Sequence, residues 1–521
     1  MLMGDILELN AVKYPDKVAL ITDDGREFTF VDLRDRMARL AHALGGIAQA
    51  NDRIAILAEN VLEYVDAYYG VPTARMALVF LNYRLNPHEL AWITNDANTK
   101  VLLVERQFLD GMLKVRNEFP NLEHIVVIGD AAGLPQVAGV SILSYDDLVG
   151  RVPAGVSASS LRRPAEDDIA WQLYTSGTTG RPKGAMLSHR SLITALLNAI
   201  IAYDVRQTDT HLYSFPMCHV AGYLVTQHHL MGGSVILQRA FEAGNWLRTV
   251  EKYGATTGGL APTMMNFVLQ HPDLERHNTD TMRSLLYGAA AMPVELLKRA
   301  IVRFGPVVCS GFGMTELGGN VLYHPKSDHV RATKGEEHLL AACGIPMAFA
   351  AVKVVDDEMN ECPPRVVGEI VVKGEQLLKG YWNRPEATEE TFRGGWFHSG
   401  DMAWRDEEGF FYIVDRKKDM IITGGENVYS REVEEVVYAH PGVSEAAIIG
   451  LPDEVWGERV VAVVALKAGV ERGDATAAEI IKVCRERLAG YKSPKQVFFI
   501  DELPKNVSGK ILKRELRDQF A

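Results

Sequence analysis

Cysteine is scarce in this chain. Five occur among 521 residues: Cys218, Cys309, Cys343, Cys362 and Cys484. No CxxC pair is present, so neither a zinc ribbon nor a disulfide framework is readable. That usage suits a reducing, cytoplasmic compartment. Long apolar runs are missing too, and a spanning helix needs about 18 or more consecutive apolar residues. The longest candidate, residues 219–237, is interrupted by His219, Gln227, His228 and His229 and reads as buried core or pocket wall. The N-terminus meets Asp5 and Glu8 before any apolar run, unlike a signal peptide. Membrane contact is therefore expected to be peripheral at most. Positive charge is in deficit, 55 Lys and Arg against 67 Asp and Glu, a net −12. Such a chain is not built for a bulk electrostatic grip on nucleic acid. Two familiar phosphate signatures are also absent. Lys183 is followed by Gly184 rather than Ser or Thr, so there is no Walker A loop, and no GxGxxG follows a strand.

What is present is globular. Hydrophobic residues make up 47% and charged residues 23%, close to average. The length suggests about three or four folding units. Thr29 followed by Asp32 marks a helix start, with Leu33, Met37, Leu40 and Leu44 on one face and Gly45 as the stop. The runs at 53–57, 101–104 and 125–128 are short and mostly β-branched, as in buried parallel strands. Strands alternating with helices predict an α/β fold. Near residue 415 the cluster Asp415-Arg416-Lys417-Lys418-Asp419 separates two apolar segments, which reads as an interdomain linker. The last hundred or so residues have helical patterns at 431–438 and 477–488 and strand patterns at 446–449 and 460–466.

Residues 174–184 read YTSGTTGRPKG. Glycines let backbone N–H groups approach a phosphate, and the hydroxyls and lysine add donors. A strand at 169–173 before the loop and a helix at 191–201 after it predict a strand–loop–helix phosphate site. Further strings follow in order: PMCHVAG (216–222), YGAAAMP (287–293), GFGMTE (311–316), GEIVVKG (368–374), GYWNRPEAT (380–388), WFHSGD (396–401), DRKKDMIITGGENVYS (415–430) and PKNVSGKILK (504–513).

Together these strings make the chain resemble the adenylate-forming superfamily, and within it the acyl-CoA synthetases, over essentially its whole length. The resemblance implies a large N-terminal body (1–416) of two α/β subdomains and a smaller β-rich one, and a mobile α+β C-terminal domain (417–521). It implies a carboxylic acid that attacks ATP to give acyl-AMP and pyrophosphate, then passes to the thiol of coenzyme A. A tetra-anionic substrate requires Mg²⁺ and local cations.

On this resemblance Thr175, Ser176, Gly177, Thr178, Thr179, Gly180 and Lys183 cover the β- and γ-phosphates. Gly288, Ala289 and Ala290 line adenine and acyl group. In Gly311-Phe312-Gly313-Met314-Thr315-Glu316, Phe312 stacks on adenine, Thr315 donates to the α-phosphate and Glu316 holds Mg²⁺. Asp401 accepts from the ribose hydroxyls with Arg416 assisting, and Lys510 bridges carboxylate and α-phosphate. Lys418 is the hinge. Gly424, Gly425 and Glu426 line the pantetheine path or form a simple turn. His219, Val220, Gly222 and Met314 belong to the acyl pocket, and Trp382 is unassigned.

Those pocket strings hold no arginine for a second carboxylate and no Asp for an ammonium. An apolar monocarboxylate is expected, first a medium- or long-chain fatty acid, with aryl and steroid acids as alternatives. A separate carrier protein is the alternative acceptor, and a non-catalytic nucleotide-binding relative is the reading from another class. Oligomeric state is left open.

Overall fold

The computed structural model describes all residues except 176–181, 291 and 506–510. The chain divides into two units, Met1–Val352 with Val372–Phe397, and Lys353–Val371 with His398–Ala521.

The first unit is mixed α/β. An eight-stranded sheet carries Arg53–Leu57, Ala77–Phe80, Thr99–Glu105, His124–Ile128 and Ile169–Thr175 as parallel strands. The three β-branched runs are neighbours in it, buried on both faces as their composition predicts. A nine-stranded sheet has a parallel centre that includes Thr210–Tyr213, Thr257–Leu260, Ser284–Tyr287 and Val308–Met314. The helix Phe30–Gly45 starts at a full capping box of Thr29 and Asp32 and buries Leu33, Met37, Leu40 and Leu44. It includes Gly45 and stops at Gly46, one residue beyond the expected stop.

The second unit contains a four-stranded sheet that includes Phe397–Arg405 and Phe411–Arg416, and a five-stranded sheet built on Val443–Asp453 and Gly457–Leu466. The helices Ser430–Tyr438 and Asp474–Arg487 bury Val433, Val437, Ile480 and Cys484. These four share one apolar cluster with Ile448, Val460, Ala462 and Val464 of the five-stranded sheet. Among the described residues no helix is long and apolar enough to cross a membrane.

Candidate active site

The glycine- and hydroxyl-rich loop joins two strands. Ile169–Thr175 pairs antiparallel with Lys183–Ser188, with Thr175 opposite Lys183, and the helix His189–Tyr203 begins only after the second strand. The expected strand–loop–helix setting is therefore corrected to strand–loop–strand. The strand KGAMLS buries Gly184, Ala185, Leu187 and Ser188, and pairing with the preceding strand outweighs helix initiation there. Ser176, Gly177, Thr178, Thr179 and Gly180 lie outside the described residues, but the pairing places Thr175 and Lys183 side by side at the loop's base.

Glu316 stands in a short 3-10 turn, Thr315–Leu317, that follows the strand Val308–Met314. Its Oε1 accepts from Thr175 Oγ1 at 3.0 Å and from Tyr381 Oη at 3.1 Å. The ring of Tyr381 lies under the Lys183 ammonium, 5.2 Å from its centroid. Burial and the Glu316 carboxylate push the Tyr381 phenol well up, so it remains a donor. Tyr381 is held by backbone pairing of Gly380–Tyr381 with Ala185 and Met186. Trp382 locks that pairing: its N–H groups donate to Gly184 O and Asp96 O, each at 2.8 Å, and Arg53 stacks 3.6 Å from its ring. Trp382 is thus packing, and Tyr381 is the site residue that sequence reasoning missed. Its only signal was its place in the string GYWNRPEAT.

The segment after Ser284–Tyr287 comes beside the next strand, since Tyr287 pairs with Ser310. Gly288 faces the Gly311 carbonyl, 3.8 Å from where a Cβ would stand. Ala289 and Ala290 are exposed, and Ala289 holds φ +68°, a left-handed conformation costing a non-glycine residue about 1–2 kcal/mol. Residues 311–316 are all partly accessible, although their strand starts in the buried centre of the sheet. They stand at the strand's C-terminal end, the end at which ligands of open α/β sheets bind.

His219 precedes the short turn Val220–Gly222. Tyr68 Oη donates to Met217 O at 2.6 Å, and a Cβ on Gly222 would meet that same Oη at 2.1 Å. Burial, with the charge of Arg84, pushes His219 down to about 4, so it is neutral near pH 7. Tyr223 continues this segment and reaches Asn320 on the strand Gly319–His324.

In the second unit Arg416 Nε contacts Asp401 Oδ1 at 2.7 Å, and the two residues are paired across Phe397–Arg405 and Phe411–Arg416. Lys418 lies exposed in the turn that follows. Gly424 and Gly425 form a two-residue hairpin turn between Ile421–Thr423 and Glu426–Val428, with φ +61° and +81°, and Glu426 is exposed. Lys510 lies outside the described residues.

The donor set fits a magnesium nucleotide. Among the described residues one carboxylate, fixed through a single oxygen by two hydroxyls, leaves its second oxygen for a hard cation, which normally takes one or two protein carboxylates plus phosphates and water. Lys183 adds a cation over the ring of Tyr381, which donates to that carboxylate.

Residues 7–382 match the model for the AMP-binding enzyme family, and residues 432–510 match the AMP-binding enzyme C-terminal domain. A feruloyl-CoA synthase of Amycolatopsis sp is 38% identical over 499 residues, 95% of this chain and 94% of that protein. The fatty acid–[acyl-carrier-protein] ligase ScoC of Streptomyces coeruleorubidus is 34% identical, covering 95% of this chain and 92% of its own. The solved anthranilate CoA ligase AuaEII in complex with anthranoyl-AMP has a TM-score of 0.87 at 28% identity, covering 100% of this chain and 97% of that one. The chain belongs to the AMP-binding, adenylate-forming enzymes and is an AMP-forming acid–thiol ligase of their acyl- and aryl-CoA ligase branch.

Proposed function

We propose that this ligase joins an apolar monocarboxylate to AMP with expulsion of pyrophosphate, and then transfers the acyl group to the thiol of coenzyme A. The observation that carries the reading is the convergence of Thr175, Lys183, Glu316 and Tyr381 at the base of the glycine-rich loop. Glu316 would hold the Mg²⁺ that shields the phosphates, and Lys183 would add charge where pyrophosphate leaves. Asp401, oriented by Arg416, suits a diol such as ribose, because a carboxylate accepts from two hydroxyls. Lys510 is expected to align the carboxylate with the α-phosphorus.

Related proteins are named for both aryl and fatty acids, and for both coenzyme A and carrier protein. Measuring pyrophosphate release against a panel of carboxylic acids tests the first half-reaction: release should require both ATP and acid. A protein that binds ATP without releasing pyrophosphate for any acid would be a nucleotide binder instead. Supplying coenzyme A or a holo-carrier protein then tests the second half-reaction. The thioester should form on coenzyme A, and formation on the carrier alone would favour the other acceptor.

A further inference from the structure

Asp96 is the last residue of the helix Pro87–Asp96. A carboxylate there faces the negative end of the helix dipole, so helix stability does not account for it. Its partners lie far away in sequence. Tyr174 Oη donates to Asp96 Oδ2 at 2.7 Å, and Arg384 Nη2 donates to Asp96 Oδ1 at 2.7 Å. The Trp382 indole N–H donates to the backbone carbonyl of the same residue at 2.8 Å. The Asp96 carboxylate is largely buried, 14% exposed, and each of its oxygens serves a different segment.

Those segments are the two that hold Glu316. Tyr174 precedes Thr175, and Trp382 and Arg384 follow Tyr381; Thr175 and Tyr381 are the donors to Glu316 Oε1. Neighbouring side chains on a strand point to opposite faces. Glu316 therefore ties the two segments on one face, and Asp96 ties them on the other. The segments are not neighbours in the sheet, because Lys183–Ser188 runs between Ile169–Thr175 and Gly380–Tyr381. Gly184, opposite Tyr174 in register, gives the phenol its route across that middle strand. A Cβ on Gly184 would lie 3.1 Å from Tyr174 Cζ, so a larger residue would crowd the ring.

We infer that Asp96 is a positioning residue for adenylate formation. It sets the spacing of Thr175 and Tyr381, and through them the reach of Glu316 toward Mg²⁺, while touching neither metal nor nucleotide itself. This inference rests on the ligase reading and deepens it.

The test compares Asp96→Ala and Tyr174→Phe with the parent, using the full-length enzyme. Alanine is a better helix former than aspartate and keeps the backbone carbonyl that holds Trp382, so the helix itself is spared. Calorimetry measures ATP binding with and without Mg²⁺, beside the kinetics of both half-reactions and urea unfolding. Mg²⁺ should tighten ATP binding to the parent. In Asp96→Ala that gain should shrink about three- to tenfold, the worth of roughly one hydrogen bond. The KM for Mg·ATP should rise in step, while thioester formation from supplied acyl-AMP holds. Tyr174→Phe should show the same change to a smaller extent, and the double variant should lose less than the product of the two. An unchanged Mg²⁺ gain in both variants overturns the inference. So does an equal fall in both half-reactions with a lowered unfolding midpoint, which marks a purely structural role. If Asp96→Ala fails to fold, Tyr174→Phe decides alone. A parent that neither binds Mg·ATP nor releases pyrophosphate would sink the ligase reading as well; a parent that does both, matched by its variants, sinks only the positioning role.

Discussion

Among the described residues Glu316 is gripped through one oxygen alone, and the proposed metal role of the other can be tested one atom at a time. Glu316→Gln keeps the shape and removes the charge. It should lower pyrophosphate release by about a hundredfold and shift the Mg²⁺ requirement upward, as a metal titration of the rate would show. Tyr381→Phe removes one of two donors to Oε1 but keeps the ring under Lys183. Its loss should stay below about tenfold, and an equal loss in both variants would remove the special role of the carboxylate. Lys510→Ala should cost adenylation about 10³-fold, since a unit charge at 4 Å is worth about 4 kcal/mol at an effective dielectric near 20. Thioester formation from supplied acyl-AMP should be largely spared; equal loss in both steps would contradict the assignment.

Among the elements, the hairpin of Ile421–Thr423 and Glu426–Val428 separates two glycine roles. Both glycines have positive φ. A Cβ at Gly424 would lie 2.7 Å from Trp456 Cε3, whereas at Gly425 nothing lies within 4 Å. Gly425→Ala should therefore cost about 1 kcal/mol of backbone strain, and Gly424→Ala more, through strain plus overlap. Urea unfolding would rank them. If the turn also borders the thiol's path, Gly425→Ala slows thioester formation while sparing pyrophosphate release. The turn after Phe411–Arg416 carries the other expectation. Lys417 N–H donates to Gly400 O and Asp419 N–H to Arg416 O, whereas Lys418 N–H has no protein acceptor among the described residues. Lys418→Pro therefore acts by fixing φ and restricting Lys417. Slowed thioester formation with intact adenylation would support a hinge, and loss of both would argue for a structural turn.

At the scale of the molecule, buried histidines set an acid limit. His228 Nδ1 donates to Leu224 O at 2.7 Å, and its Nε2 lies 3.1 Å from Thr257 Oγ1. His229 Nε2 donates to Ala19 O at 3.0 Å, and its Nδ1 accepts from Tyr69 Oη at 2.8 Å. Burial pushes His228 down to about 4 and His229 to about 3. Unfolded histidine titrates near 6.5. Between pH 6.5 and 4 the unfolded chain therefore binds more protons, and stability falls as pH falls. Each histidine should contribute about 1.4 kcal/mol per pH unit in that window and nothing above it. Unfolding midpoints measured from pH 7.5 to 5 should show this slope, and His228→Gln should flatten it. A flat profile in the parent protein would refute the account. The net charge of −12 is no obstacle to polyanionic substrates, because cations are placed singly, Lys183 over the ring of Tyr381 and Arg416 on Asp401.

Local pattern carried much of this. The capping box at Thr29, the β-branched strands and the ordered motifs depend on neighbours in sequence, and they identified the fold class and the family. Tyr381 could not be read that way. Its hydroxyl matters only because the pairing of Gly380–Tyr381 with Ala185 and Met186 brings it to Glu316, 65 residues away in sequence. The loop setting was misread for the same reason, since antiparallel pairing of Thr175 with Lys183 is a contact between strands. Asn320 shows the limit most clearly. In sequence it is one polar residue in a strand, and only the approach of Tyr203 and Tyr223 from two other helices decides which partners its amide hydrogens find.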